Sequence, residues 1–440
     1  MPSADDALRA DGAGTPRGLP PVGATDAAAP RGAAGRPGTG YDPLHLDREP
    51  PRRPSPAMHR RRVVSLLATS LAAPSLHATG VPDARRLPAG PRLDPDTVAR
   101  LIAGIAPASG NPLADRLVAS ADWREHRDWV RPRWAEVERR LDAMRRWADT
   151  ELRLPDASRR TLLYPFSGPD FSNADALFPT HPKVVMFGLE RPGRLPEIER
   201  LDAAQVGRLL GDVRYALSDL IERNYFVTDY MTKQLTSPFL KGTLPVIAAS
   251  MVLTGHRVLS VEPLDPFPDL TREYAAPDPR AGQARPPILL RGVRVGFAEA
   301  DGQVRTLDYY SLDATDRALR WYPGFLDLLG GSRPASVLLK SASYLLHDGQ
   351  FAATRERLMQ TADVVVQDDT GIPFRRLQEG GWAVRLYGVY TPPLKSLRYG
   401  AQPDLEAAYR GAPAVPSLDF PFGYHGREGR SSMLVARRER

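Results

Sequence analysis

From Thr161 onward the chain alternates short apolar runs with stretches of helical spacing, and this alternation restricts the fold more than any other feature. TLLYPF (161–166), KVVMFGLE (183–190), SVLL (336–339) and VVV (364–366) are apolar on successive residues. Such runs suit strands covered on both faces. Between them, residues 171–178, 203–223, 244–253 and 351–359 read as helices. The clearest is 203–223, with Val206, Leu209, Leu210, Val213, Leu217, Leu220 and Ile221 on one side. The expected fold is α/β: a mixed, mostly parallel, Rossmann-like sheet with helices on both faces. Strands at Val258–Val261 and Trp382–Tyr390 extend it. Arg291–Glu299 and Gln303–Ser311 read as the arms of an inserted β-hairpin with a two-residue turn at Asp301-Gly302. A loop rich in Pro and Asp, roughly 263–287, precedes the hairpin, and no repeat of fixed period is visible.

Three of these strands run into knots of polar and turn-forming residues: Ser167-Gly168-Pro169-Asp170, Glu190, and Gln367-Asp368-Asp369. In open α/β sheets ligands sit beyond the carboxyl ends of the strands. If the three strands are parallel, the knots share one edge and line one polar site.

Upstream, Asp94 and Pro95 open a helix with Val98, Leu101, Ile102 and Ile105 on one face. A second runs from about Arg133 to Leu152, with Trp134, Val137, Leu141, Met144 and Trp147 spaced for core packing. Residues 93–155 are thus expected to form a helical brace on an α/β domain spanning 156–440.

The first 92 residues are of another kind. Residues 1–57 hold eleven Pro and eight Gly without an apolar periodicity, the composition of a disordered segment. Met58 is followed by Arg60, Arg61 and Arg62, an apolar stretch from Val63 to about Leu76, and small residues near Ala78. An apolar stretch of roughly 14 residues is too short to span a bilayer and suits a signal peptide. Residues 58–78 are read as that peptide, whose Arg60-Arg61 pair also resembles a twin-arginine signal, 79–92 as a linker, and 1–57 as an over-extended start. The expected location is periplasmic or secreted, with no transmembrane anchor in the mature chain.

Charge supports the same division. Of the net +7, residues 58–92 contribute +5 through six arginines and one aspartate, so the remainder is close to neutral. A surface that tracks phosphates needs basic residues within the fold, so nucleic acid is not an expected partner. The chain has no Cys, which excludes disulfides, thiolate metal sites and Cys nucleophiles.

YPFSGPDF, VVMFGLERPG, LKSASYLLH, VVVQDDTGIPF and VRLYGVYTPP occur in this order. Together they resemble a family of uncharacterised exported bacterial proteins, over roughly residues 95–435. The resemblance implies the domain boundaries and the export, and it implies no mechanism. The strand–SGPD–helix–strand order ending in Glu190 also looks like the cofactor loop of Rossmann-type methyltransferases, although it lacks their G-x-G.

The candidate catalytic residues are Ser167, Asp170, Lys340, His347, Asp368 and Asp369; Gly168 and Glu190 are the candidates for cofactor or ligand binding. Ser167 and Asp170 could present a hydroxyl and a carboxylate beside Gly168, where a backbone can approach closely; they suit helix capping equally well. Lys340, Ser341, Ser343 and His347 hold the groups of a nucleophilic site, but Lys340 and Ser341 are neighbours that a strand would point apart. Asp368 and Asp369 suit acid–base work or a hard cation, and also a strand end with one carboxylate in solvent. His126, His181, His256, His347 and His425 form no H-x-x-H pair, so a zinc site would need ligands from distant segments. The aromatics of 387–399, Tyr309-Tyr310 and 420–424 are candidates to line an apolar or sugar pocket, or to be core. The expected function is hydrolysis of a small or envelope-derived substrate at the strand ends. The alternatives are a non-catalytic periplasmic binding or envelope-interaction protein and a Rossmann-like methyltransferase. No cofactor or metal is named by the sequence.

Overall fold

Successive apolar residues need cover on both sides, and a nine-stranded sheet flanked by two helical layers supplies it. In this computed structural model, residues 93–108, 110–154, 156–226, 235–264, 291–426 and 430–438 are described. All described residues belong to one compact unit.

In chain order the elements are α1 (Pro95–Ile102), α2 (Pro112–Val118), α3 (Ala121–Glu151), β1 (Thr161–Pro165), α4 (Phe171–Leu177), β2 (Lys183–Gly188), α5 (Ala203–Glu222), α6 (Leu244–Leu253), β3 (Arg257–Leu264), β4 (Arg291–Ala298) and β5 (Val304–Ser311). They continue with α7 (Asp316–Leu319), α8 (Pro323–Gly330), β6 (Ala335–Leu339), α9 (Ala352–Thr361), β7 (Ala362–Gln367), α10 (Phe374–Glu379), β8 (Trp382–Gly388), α11 (Pro403–Gly411) and β9 (Ser432–Arg438). The strands lie in the order β3-β4-β5-β2-β1-β6-β7-β9-β8. β5, β2, β1, β6 and β7 are parallel neighbours, while β4 and β9 run against their neighbours. The sheet is therefore mixed with a parallel centre, as the alternation of elements requires.

The helices sort by position along the chain. Leu162, Tyr164, Val184, Met186 and Tyr309 face a core shared with α1, α3, α4, α5 and α6. Leu163, Val185, Phe187, Tyr310 and Val337 face a second core with α7–α11. The chain turns from one layer to the other between β5 and β6, so the switch point lies where β1 meets β6.

The brace belongs to the first core. α1 packs on α6 and β3, and α3 packs on α4 and α5. Asp94 caps α1 by accepting from Thr97 N at 3.0 Å. The second brace helix begins at Ala121 instead of Arg133, with Pro132 inside it. A proline normally stops a helix by removing one bond. Here Trp123, His126 and Val130 before it, and Trp134, Val137 and Leu141 after it, are all buried and hold the helix together.

The hairpin differs from expectation in two ways. Its connection is the three-residue loop Ala300–Gly302, with Glu299 O accepting from Gly302 N and Gly302 at φ 89°, so a left-handed third residue replaces the two-residue turn. Nor is it an insertion, because β5 is a parallel strand of the sheet centre and β3 extends β4 outward. β9, which closes the sheet between β7 and β8, follows a segment rich in Gly and Pro and had no counterpart in the sequence reading. Among the described residues no helix is long and apolar enough to cross a membrane. The expected start, signal peptide and linker, and most of the 263–287 loop, lie outside the described residues.

Candidate functional site

β1, β2, β6 and β7 end on the same edge, and that edge collects most of the groups singled out in the sequence. After β1 the chain turns through Phe166 at φ 56° and Gly168 at φ 52° into α4. Asp170 is the N-cap of α4, accepting from Asn173 N at 3.4 Å and Asn173 Nδ2 at 2.6 Å on Oδ1. Its other oxygen accepts from the Tyr164 hydroxyl at 2.8 Å and lies 2.9 Å from Lys340 Nζ. Capping and charge pairing are thus performed by one side chain. Lys340 directly follows β6 and is 3% exposed, and Asp170 is 1% exposed. The ammonium also donates to Asn224 O. Asn224, at φ 61°, accepts from Asn173 Nδ2 at 2.8 Å and donates to Pro421 O at 3.1 Å.

The segment after Lys340 is sharply bent. Ser341, Ser343 and Tyr344 all have φ between 52° and 57°, a region few residues with a Cβ adopt. Such strain persists only where the surroundings hold it, and here they do. Asp368 accepts from Ser341 N at 2.8 Å and from Thr370 N at 2.9 Å; Ala342 N donates to Thr370 Oγ1 at 2.7 Å. Tyr424 donates to Ser341 O at 2.8 Å, and Tyr399 to Ser343 O at 3.0 Å. Tyr344 donates to Asp369 Oδ2, and Gln402 Nε2 to Asp369 O at 2.7 Å. The Ser341 hydroxyl is buried without a hydrogen bond.

Neither carboxylate of the Asp368–Asp369 pair is in solvent, contrary to one sequence reading. Burial raises the Asp368 carboxyl above its usual range. Burial and the Asp368 charge push Asp369 up to about 7. Burial, then the charge of Asp170, raise the Tyr164 phenol well above 10. The Arg140 guanidinium of α3 is held down to about 10 by burial, opposed by Asp170, and its Nε and Nη2 are buried without hydrogen bonds.

The remaining candidates stand apart from the ion pair. Ser167 turns its hydroxyl to Gly168 O at 3.0 Å, so it is spent on its own turn. His347 packs edge-on against Tyr344 with ring centroids 5.1 Å apart, and burial lowers it to about 4. Glu190 and Gly168 both flank Gly188: a Cβ there would lie 2.9 Å from Glu190 Oε2 and 3.9 Å from Gly168 N. Burial raises the Glu190 carboxyl. The aromatics do not form one pocket, since Tyr309 and Tyr310 face opposite cores and Phe420 packs on Trp147 at 5.9 Å. Tyr164, Asn173, Asn224, Tyr344 and Tyr424 complete the network; of these only Tyr424, as an aromatic of 420–424, was among the sequence candidates, and as a pocket wall. Their partners are distant in the chain, and no spacing marks them.

A second cluster sits at the opposite, amino-terminal edge. Asp175, His256 and Glu299 come together at the ends of α4, the turn before β3 and the turn after β4. Arg305 Nη1 lies 2.7 Å from Asp175 Oδ1 and 2.8 Å from Glu299 Oε1. Burial disfavours the Asp175 carboxylate, but His256 and Arg305 more than offset this and hold its pKa below the usual range. A cavity of about 290 Å³ opens on the cluster.

Comparison of the chain with protein-family models, with curated proteins and with solved structures finds no match.

Proposed function

We propose that the chain is an exported protein of the bacterial family it resembles, and that it hydrolyses a small or envelope-derived substrate at the carboxyl edge of its sheet. The observation that carries this reading is the meeting of the Asp170–Lys340 ion pair with the Asp368–Asp369 pair at the switch point. Ligands of open α/β sheets occupy this crevice. A carboxyl with a pKa of about 7 is matched to proton transfer near neutral pH. In this reading Asp369 moves the proton. Asp368 holds the Ser341 backbone amide, and Lys340 supplies a fixed positive charge. Ser341 and Ser343, on the bent segment, are the hydroxyls nearest in the chain to that charge.

The test is to incubate purified wild-type protein and an Asp369→Asn variant with isolated cell envelope and analyse the released products by mass spectrometry. Products formed by the wild type and lost in the variant support the reading. Equal products from both, or none from either, refute it; retention of an envelope component without product would indicate a binding protein.

The strand order favours a second reading. β5-β2-β1-β6-β7 is doubly wound about the β1/β6 switch point, as in Rossmann-like folds, and Glu190 follows the second strand at the same edge. The residues do not fit that cofactor well. Pro169 removes a backbone donor from the loop, and Lys340 beside it is engaged by both Asp170 and Asn224 O. Titration with S-adenosylmethionine, monitored by calorimetry, separates the two: binding that is lost in Glu190→Ala would favour the methyltransferase.

A further inference from the structure

We propose that Asp175, His256 and Glu299 form a binding site for a divalent transition-metal ion of the zinc class at the amino-terminal edge of the sheet. The site lies on the opposite edge from the candidate active site and does not depend on that reading. One ligand atom from each of the three residues lies within 4.8 Å of the others. A tetrahedral ion with bonds of about 2.1 Å needs its ligands about 3.4 Å apart. Closure requires the ligand atoms to draw together, and Glu299, with a side chain 27% exposed, would loosen its contact with Arg305 to do so.

The orientation of His256 favours a cation. Its Nδ1 lies 3.1 Å from Thr254 Oγ1, and that hydroxyl is 2.9 Å from Ser250 O and 3.0 Å from Met251 O. A hydroxyl has one hydrogen to give, and two carbonyls compete for it. The oxygen therefore accepts from Nδ1–H, as an outer partner does for a metal-bound histidine. Nε2 then faces Asp175 Oδ1 at 3.3 Å. In the neutral ring Nε2 carries the lone pair that a metal ion takes up, whereas in the imidazolium the same nitrogen donates to Asp175.

The carboxylates have capacity to spare. Arg305 and His256 address Oδ1 of Asp175, and Arg305 addresses Oε1 of Glu299, which leaves Oδ2 and Oε2 for an ion. Arg305 offsets one of the two negative charges, so the site keeps net negative charge for a divalent ion. All three ligands line the cavity of about 290 Å³, which has room for the water that completes four-coordination. One His with two carboxylates is a donor set suited to zinc or manganese and not to a thiophilic ion. An ion here would tie α4 to the turns before β3 and after β4. This is a cross-link in a chain that has no cysteine to make one.

The test is isothermal titration of metal-stripped protein with ZnCl2, alongside His256→Gln, Glu299→Gln and Thr254→Val. We expect one ion per chain, with affinity lowered about 100-fold in His256→Gln and about 10-fold in Glu299→Gln and Thr254→Val. Zn2+ should also raise the thermal midpoint of the wild type and not that of His256→Gln. Glu299 is partly exposed, so its variant keeps the test valid if His256→Gln fails to fold. No binding up to millimolar zinc, or binding unchanged in Glu299→Gln and Thr254→Val, would overturn the proposal.

Discussion

Lys340 Nζ lies 2.9 Å from Asp170 Oδ2, and the two residues follow the adjacent parallel strands β6 and β1 on either side of the switch point. The pair joins β6 to the N-cap of α4, and both members are almost wholly buried. Removing one partner of such a pair leaves an uncompensated charge in the interior. Lys340→Met is therefore expected to destabilise the fold by about 3–5 kcal/mol in urea unfolding. The double variant Lys340→Met, Asp170→Asn is expected to recover much of that loss. A single-variant cost below about 1 kcal/mol would mean that the pair is not desolvated as described.

Asp369 gives stability a pH dependence of known sign. Its folded pKa of about 7 lies above its ordinary value of 3.8, so between these limits the native state binds more protons than the unfolded chain. Stability from this group is full below the unfolded pKa and is lost as pH rises towards 7. Unfolding of wild type and Asp369→Asn from pH 4 to pH 7 should show the wild type losing roughly 2 kcal/mol or more relative to the variant. Parallel curves would contradict the shift.

Gly423, at φ 76°, has no room for a side chain: a Cβ would lie 2.7 Å from Asp368 Oδ2. That oxygen is fixed by Ser341 N and cannot simply swing away. Gly423→Ala is expected to cost about 1–3 kcal/mol through backbone strain and displacement of Asp368. Gly411→Ala, with open space around it, serves as the neutral comparison.

Pro132 is the reverse case, an exposed residue that weakens the helix it occupies. Pro132→Ala restores a backbone bond within α3 and is expected to stabilise the protein by about 1–3 kcal/mol in thermal unfolding. A loss of stability would show that a bend at this residue is needed for packing on α4 and α5.

How much of this was legible in the sequence follows from the range of the interactions involved. The central strands were, because burial on both faces writes an unbroken apolar run at 162–164, 184–187 and 364–366. The shared edge was conditionally legible, since Asp170, Glu190, Asp368 and Asp369 are the residues on which parallel strands stop. The pairing of Asp170 with Lys340 was not, because it depends on β1 and β6 being neighbours although about 170 residues separate them. The start of α3 was obscured by Pro132, whose local preference is overridden by packing on either side. The amino-edge cluster was hidden for the same reason as the ion pair: Asp175, His256, Glu299 and Arg305 share no spacing, and topology alone brings them together.

The proposed chemistry requires that the carboxyl edge hold an acid–base pair that exchanges a proton near neutral pH. It is tested most directly by carboxyl 13C NMR of aspartate-labelled protein across pH 3–9. One carboxyl resonance is expected to titrate with a midpoint near 7 and to be absent from Asp369→Asn. If every aspartate carboxyl titrated below about pH 5, as ordinary aspartates do, the Asp368–Asp369 pair would be plain fold structure and the proposed chemistry would have no proton to move.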